Sequence, residues 1–260
     1  MAGRIRIERE GPLGYLIFDH QARRNAITRA MWEAIPEAAA ELDGDREIRV
    51  VLLRGAGEEA FVSGADISEF EESRVGPEAP RYEQATERAF EALKAIQKPV
   101  LAAIHGFCIG GGAAISLCAD LRYAAEDAVF AIPPARLGLG YGKRNIEDLV
   151  RELGHATARE ILFTARRFDA REALSLGWVR AVHPKTELDA AVRTVAHQIA
   201  ENAPLTIAAA KLTLRELGKH GAPPDDARIA SAIQRCFDSA DYAEGVRAFL
   251  EKRRPRFRGV

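Results

Sequence analysis

The sequence predicts an α/β fold with parallel strands and a helical C-terminal region. Residues 50–53 and 100–104 are short, entirely apolar runs, the pattern of strands that are buried on both faces of a parallel sheet. A glycine-punctuated loop and a helical segment lie between them, and such alternation of strand and helix favours parallel pairing. Because the pattern is helical from residue 187 onwards, we expect a core over residues 1–200 and a helical region over residues 201–260.

The other elements are expected in the following order along the chain. Alternating apolar residues at 4–8 and an apolar run at 15–18 predict an opening hairpin. Thr28 is expected to cap a helix from residue 29 to about residue 42, and Pro36 inside this helix predicts a kink or a break. Further helices are expected over 79–97, 113–119, 146–163 and 170–176, and further strands over 121–124, 129–132 and 179–182.

The composition argues against several classes of protein. Over 260 residues, 37 Lys and Arg nearly balance 38 Asp and Glu, so no bulk field attracts nucleic acid or an anionic membrane. The first ten residues are too highly charged for a secretory signal, and no His/Cys cluster has zinc spacing. Three cysteines, Cys108, Cys118 and Cys236, cannot all pair. We therefore expect a cytoplasmic protein with reduced cysteines, no metal, and no nucleic-acid or membrane partner.

Residues 98–120, KPVLAAIHGFCIGGGAAISLCAD, carry no Asp, Glu, Lys or Arg between their two charged ends. A buried strand is followed by glycines at 110–112 and then by a buried helix, whose first backbone N–H groups have no intrahelical partner. Glycine lets a ligand approach such groups closely, so the segment is suited to holding negative charge on an oxygen atom. A membrane span and a purely structural strand–turn–helix are the alternative interpretations.

The loop FVSGADISEF supplies a second candidate backbone donor, because Gly64 and Ala65 precede a short helix. Two N–H groups that face one pocket, those of Ala65 and Gly111, can share a single thioester oxygen. Such a pair stabilises an enolate, in which negative charge develops on the carbonyl oxygen after the neighbouring carbon loses a proton or a carboxylate. The alternative is that the loop is a structural glycine turn.

These two motifs together resemble the enoyl-CoA hydratase/isomerase, or crotonase, superfamily, and the resemblance covers nearly the full chain. It implies that the N–H groups of Ala65 and Gly111 form an oxyanion hole. It also implies a crotonase-like spiral of ββα units, with a C-terminal helical region for oligomerisation into a homotrimer or a hexamer (a dimer of trimers). The substrate implied is an acyl-CoA thioester, and coenzyme A enters as part of it without a separate cofactor.

The sequence departs from the family at the two catalytic glutamates of the hydratases. Their positions correspond to Ala114 and Pro134, neither of which can act as an acid or a base. The methylmalonyl-CoA decarboxylase branch also lacks the second glutamate and carries a tyrosine where this chain has Tyr141, and the C-terminal half resembles that branch most. Tyr141 is therefore a third catalytic candidate. The alternative is a half-buried ring whose hydroxyl is in water.

The resemblance also predicts where coenzyme A binds. The turn HQARRNAIT matches the region that meets the phosphorylated end of the substrate, and a lysine in FLEKR corresponds to a family lysine near the same phosphates. A pair of arginines in a turn can also be plain surface, and Asp66 can simply cap the short helix that follows it. The expected contacts are Arg23, Arg24, Ala65, Asp66, Ile67 and Lys252.

The leading hypothesis is an acyl-CoA lyase that stabilises a thioester enolate, with decarboxylase-like chemistry at Tyr141. The alternatives are an enoyl-CoA hydratase/isomerase acting on a 2-enoyl-CoA, and a non-catalytic member of the fold that only binds acyl-CoA. Other polar residues are weaker candidates. His105 has the pattern of a core histidine, and Glu147 and Asp148 are expected to lie at a helix start, where acids favour the helix dipole.

Overall fold

The architecture rests on two sheets of unequal size. The computed structural model describes residues 2–69, 78–219 and 222–260. Within these residues the strands are β1 (Arg4–Glu10), β2 (Leu13–Asp19), β3 (Val50–Gly55), β4 (Ala60–Val62), β5 (Val100–Ile104), β6 (Phe107–Ile109), β7 (Leu121–Ala125), β8 (Val129–Ala131), β9 (Phe168–Asp169) and β10 (Ala181–His183). The larger sheet has the order β1-β2-β3-β5-β7-β10, and the smaller sheet has the order β4-β6-β8-β9.

Both sheets are mixed. In the larger sheet β1 and β2 form the predicted antiparallel hairpin, and the other neighbours are parallel. In the smaller sheet β4, β6 and β8 are parallel, and β9 pairs with β8 in the antiparallel direction. Every residue of β5 is buried, because apolar clusters cover both faces of the larger sheet. This burial explains the unbroken apolar run at 100–104.

The helices connect and cover these sheets. They are α1 (Arg29–Gly44), α2 (Ala79–Ala95), α3 (Gly111–Ser116), α4 (Lys143–Thr164), α5 (Ala170–Ser175), α6 (Leu188–Ala200), α7 (Pro204–Leu217), α8 (Asp226–Phe237) and α9 (Ala240–Leu250). A strand of the larger sheet followed by a strand of the smaller sheet and a helix is the ββα unit that was expected, and β5, β6 and α3 form one such unit.

Capping side chains define several helix starts. Thr28 accepts a hydrogen bond from the N–H of Met31, as predicted for α1, and Asp169 caps α5 through the N–H of Glu172. The break that Pro36 could have caused does not occur, since α1 continues through it as one helix. Pro36 lies inside the helix and supplies no N–H, so one intrahelical hydrogen bond is lost without ending α1.

The short elements around the glycine segment differ most from the prediction. The predicted helix over 113–119 begins earlier, at Gly111, and ends at Ser116. Strand β6 was not predicted, because three residues between two glycines leave no periodicity to detect. The last strand begins two residues later than expected, at Ala181. Among the described residues, no helix is both long enough and apolar enough to cross a membrane.

Candidate active site

The turn at Gly64 and Ala65 leaves one backbone donor without a partner. Ile27 pairs with Ala65 as an isolated parallel bridge, in which the Ile27 N–H donates to the Gly64 carbonyl (2.8 Å) and the Asp66 N–H donates to the Ile27 carbonyl (2.9 Å). Gly64 has a φ of +116°, a value that L side chains rarely adopt. Gly64 and Asp66, the residues on either side of Ala65, are therefore held by hydrogen bonds. The Ala65 N–H itself has no acceptor among the described residues.

The second donor comes from the start of α3. Gly111 is the first residue of this helix, and no described residue accepts a hydrogen bond from its N–H. The preceding residue is held in place because the Gly110 N–H donates to the Ala131 carbonyl of β8 (2.8 Å). Gly112 allows α3 to lie directly against β4, since a Cβ at this position would lie 2.1 Å from the Val62 carbonyl oxygen.

The structure brings Ala65 and Gly111 together. A Cβ built on Gly111 would lie 3.7 Å from the Ala65 nitrogen and 3.2 Å from Cζ2 of Trp32. The Trp32 ring is buried, packs edge-on against Phe90 (5.3 Å between ring centroids), and donates from Nε1 to the Tyr82 hydroxyl (3.0 Å). The two backbone donors, which come from distant parts of the sequence, thus lie close together beside the buried Trp32 ring.

Tyr141 is a half-buried residue whose phenol hydroxyl has no hydrogen-bond partner among the described residues. Its ring packs against the main core, and its hydroxyl is inaccessible to solvent and unbonded within the described part of the chain. Burial raises the pKa of Tyr141 above its ordinary value, and the negative charge of Asp148 raises it further. The alternative interpretation, a hydroxyl in water, is therefore wrong. The phenol stays protonated at neutral pH.

Asp148 has a structural role that sequence reasoning missed. The prediction that Glu147 and Asp148 cap a helix is wrong, because α4 begins at Lys143 and neither acid lies in its first turn. The Asp148 side chain is only 7% exposed and forms ion pairs with Lys94 and with Arg151, the latter at 2.7 Å. Lys94 lies 54 residues away on α2, so no local sequence pattern could reveal this pair.

The positions of the two missing glutamates are buried and carry no ionisable group. Ala114 lies within α3, and Pro134 begins a short 3-10 helix (Pro134–Arg136). The nearby thiols do not replace the acids, since burial raises the pKa of both Cys108 and Cys118 to about 12. In the described part of the chain no group of three or more His, Cys, Asp or Glu side chains is arranged to hold a metal ion.

Two of the expected coenzyme A contacts, Arg23 and Arg24, lie in one turn. The turn containing Arg23 and Arg24 is joined to the candidate site, because the Ser63 hydroxyl donates to the Arg23 carbonyl and the Ser63 N–H donates to the Arg24 carbonyl. The Arg24 guanidinium lies 2.7 Å from a carboxylate oxygen of Glu59 and 4.7 Å above the Phe107 ring centroid. The Arg23 side chain is exposed.

Asp66 and Ile67 lie beside Ala65 but face different surroundings. Burial alone would raise the pKa of Asp66. Hydrogen bonds from the N–H and the hydroxyl of Ser68 nevertheless hold this pKa below its ordinary value. Asp66 thus caps the turn that follows it, as expected. Ile67 is 60% exposed. Lys252 lies just beyond α9, and no hydrogen bond or ion pair in the described ranges joins it to the other expected contacts.

His105 behaves as a core histidine. It is buried, and its Nε2 lies 3.0 Å from Oδ1 of Asp189. Asp189 is also paired with Arg54 (2.9 Å), and these contacts hold the pKa of the Asp189 carboxyl below its ordinary value. The ring is therefore held by a carboxylate that Arg54 also binds.

Comparison with known proteins identifies the class of the fold. A protein of the enoyl-CoA hydratase/isomerase family from Hyphomonas neptunium superposes with a TM-score of 0.93 at 36% identity, over 97% of each chain. The chain therefore has the α/β crotonase fold, with two mixed sheets and C-terminal helices.

The family itself is identified by sequence. The family model for enoyl-CoA hydratase/isomerase matches residues 8–260, and the chain belongs to this family. A short-chain-enoyl-CoA hydratase of Clostridium acetobutylicum is 32% identical over 95% of each chain, and a methylmalonyl-CoA decarboxylase of Escherichia coli is 33% identical over 93% of each chain. The protein is thus a crotonase-superfamily acyl-CoA enzyme.

Proposed function

We propose that this enzyme is an acyl-CoA lyase that stabilises a thioester enolate between the N–H groups of Ala65 and Gly111. The proposal depends on one observation: two donors without an acceptor lie side by side, each fixed by hydrogen bonds of neighbouring residues. Donors positioned in advance and shielded from water stabilise a developing oxyanion, and removing one typically costs ~100- to 1000-fold in rate.

Decarboxylation fits the side chains of this site better than hydration. Adding water across a double bond needs groups that activate the water and deliver a proton, and Ala114 and Pro134 offer neither. Decarboxylation needs no base, because breaking the bond to the carboxylate releases CO₂ and leaves the electron pair as an enolate on the thioester oxygen. The α-carbon then takes a proton from water or from the Tyr141 hydroxyl, and in the second case a water molecule that enters as the product leaves returns a proton to the phenolate.

Coenzyme A is proposed to bind along the surface next to this pair of donors. Arg23 and Lys252 present exposed cations without side-chain partners among the residues described, as phosphate recognition requires. Ala65, Asp66 and Ile67 are proposed to border the adenine ring. Arg24 would exchange its ion pair with Glu59 for a phosphate, or orient the turn through that pair.

Oligomerisation through the C-terminal helices is proposed as well. An apolar groove of about 930 Å³ lies between α7, α8 and α9. Exposed apolar side chains on these helices include Leu214, Phe237, Tyr242, Phe249 and Leu250. Patches of this kind mark association surfaces, which supports a homotrimer or a dimer of trimers built on residues 201–260.

Parallel assays test the proposed reaction. Malonyl-CoA and methylmalonyl-CoA should be decarboxylated, and Tyr141→Phe should lower kcat by about 100- to 10,000-fold, the range for loss of a general acid. Crotonyl-CoA hydration is measured beside it, because a curated relative of similar identity is a hydratase. Robust hydration that survives Tyr141→Phe would contradict the proposal in favour of a hydratase.

The oxyanion hole is tested separately with Gly111→Pro, which removes the backbone donor. Turnover should fall by about 100- to 1000-fold while the affinity for a non-reacting acyl-CoA analogue changes much less. Circular dichroism and the analogue's Kd show whether the turn is intact. If no acyl-CoA is turned over by the unsubstituted enzyme but the analogue still binds, the protein is a non-catalytic binder.

A further inference from the structure

A second cavity lies far from the candidate active site. This distal cleft has a volume of about 580 Å³ and is formed by the end of α2, by α7 and by α8. Its charged lining consists of the five cations Lys211, Arg215, Lys219, Arg228 and Arg235 and the single carboxylate Glu216. Such an excess of one sign in a concave site concentrates ions of the opposite sign.

Two of the cations are at the buried base of the cleft. The Lys211 ammonium donates to the Lys98 carbonyl and to Asp120, both at 2.6 Å, and Arg215 donates to the Ile96 carbonyl at 2.7 Å. Burial nevertheless lowers the pKa of Lys211 to about 8, although the Asp120 charge opposes this shift. Lys211 and Arg215 are thus held at the base of the cleft by backbone carbonyls and by one carboxylate, Asp120.

The cations at the mouth of the cleft share one acid. Glu216, 2% exposed, pairs with Lys219 (2.5 Å) and Arg228 (3.5 Å) and also accepts the N–H of Asp225 (3.1 Å). Arg235 forms no ion pair or hydrogen bond with any residue that the structure describes, and Asp43 acts on the base only at longer range. Among the described residues, the lining thus carries five cations and one carboxylate, Asp225 lies beside Glu216, and Asp120 and Asp43 act on the base.

The topology separates the distal cleft from the proposed acyl-CoA site. Ala95 and Gln97 of the cleft precede β5, whereas Gly111 follows the other end of that strand. Five strand residues at about 3.3 Å each place roughly 13 Å or more between the two ends. Arg23, Arg24 and Ala65 lie with Gly111 at the far end, so none of the expected coenzyme A contacts lines the cleft.

We propose that the distal cleft binds a small anion carrying two or more phosphate groups, independently of acyl-CoA. Guanidinium groups bind phosphate oxygens through paired hydrogen bonds, and the cleft presents three of them, on Arg215, Arg228 and Arg235. Its volume is within the range of small-molecule sites. Gln97 and Ser231 add neutral hydrogen-bonding groups to the lining.

Inorganic pyrophosphate is the probe for this proposal. Isothermal titration calorimetry on the full chain, at constant ionic strength and neutral pH, should show saturable binding of pyrophosphate. Phosphate and sulfate should bind at least about tenfold more weakly. The Arg228→Gln/Arg235→Gln double variant should lose at least about tenfold in affinity. Arg159→Gln, a change of an exposed arginine on α4 outside the cleft, should bind like the unsubstituted chain.

Three outcomes overturn the proposal. They are the absence of saturable pyrophosphate binding, equal affinity in the double variant, and displacement of pyrophosphate by coenzyme A together with loss of binding in Arg24→Gln. The last result would assign the binding to the acyl-CoA site. Both substituted arginines are surface residues, and circular dichroism with the thermal midpoint measured without pyrophosphate verifies that the double variant is folded.

Discussion

The two halves of the candidate pocket differ in what builds them. The backbone half consists of the N–H groups of Ala65 and Gly111, which are positioned by hydrogen bonds of their neighbours and by the close approach of Gly112 to Val62. The proposed side-chain half is Tyr141, while the two positions where hydratases carry glutamates are alanine and proline. A backbone donor has no side chain to lose, whereas each acid depends on a single residue type.

This difference separates the ability to hold an enolate from the choice of reaction. Oxyanion stabilisation resides in turns that tolerate almost no change, because a Cβ at Gly112 would overlap a carbonyl oxygen. Proton transfer resides in side chains that can change without altering the fold. The fold therefore identifies an acyl-CoA enzyme, and in the proposed function Tyr141 and its surroundings select the reaction.

The largest effect is expected for Gly112→Ala. The added methyl group would lie 2.1 Å from the Val62 carbonyl oxygen, so α3 and β4 have to separate. We expect a loss of about 3 kcal/mol or more in the free energy of unfolding, at the upper end for overpacked cores. Urea denaturation monitored by circular dichroism measures it. A variant as stable as the parent would show that the backbone half tolerates change.

Gly111→Ala is the matched variant one residue away. The nearest neighbours of its methyl group would be the Trp32 ring (3.2 Å) and the Ala65 nitrogen (3.7 Å), and its backbone has an ordinary φ. We expect stability within about 1 kcal/mol of the parent, because replacing glycine in a helix offsets slight crowding. Activity should fall by about 10- to 100-fold, since the methyl group enters the space between the two donors. Unchanged kcat/KM would argue against an oxyanion hole here.

Local sequence signals indicate the turns that carry Ala65 and Gly111, but not the surroundings of Tyr141. The glycines and the unbroken apolar run at 100–104 are local signals, because they impose φ values, close contacts and burial on adjacent residues. Ala65 and Gly111 could therefore be selected before their contact was known. The resemblance to a known family supplied the pairing of the two loops, which no local pattern contains.

Tyr141 shows where local signals end. Its buried hydroxyl and its neighbour Asp148 result from packing between α4 and α2, whose paired residues Asp148 and Lys94 are distant in sequence. Helix α4 begins at Lys143, three residues before its predicted start. The prediction of which residues lie in its exposed first turn was therefore displaced as well. A shift of three residues moves an acid from a solvated first turn to a buried position.

The smallest effect is expected for Asp148→Asn, which keeps the shape of the side chain and removes its charge. The negative charge of Asp148 raises the pKa of Tyr141, so the neutral amide should let the phenol ionise at a lower pH than in the parent. The ion pairs with Lys94 and Arg151 weaken as well, and we expect a loss of about 1–3 kcal/mol in the free energy of unfolding.

Phenolate absorbance during alkaline titration measures this shift. The chain has five tyrosines, and subtracting the titration curve of Tyr141→Phe removes the signal of the other four. Because the folded pKa of Tyr141 is raised, the folded chain keeps a proton that the unfolded chain loses above about pH 10. Stability should therefore fall with rising pH there, and fall less steeply in Asp148→Asn. A phenol whose titration is identical in both variants would mean that Asp148 does not control Tyr141, and that burial alone keeps the proton on the side-chain half.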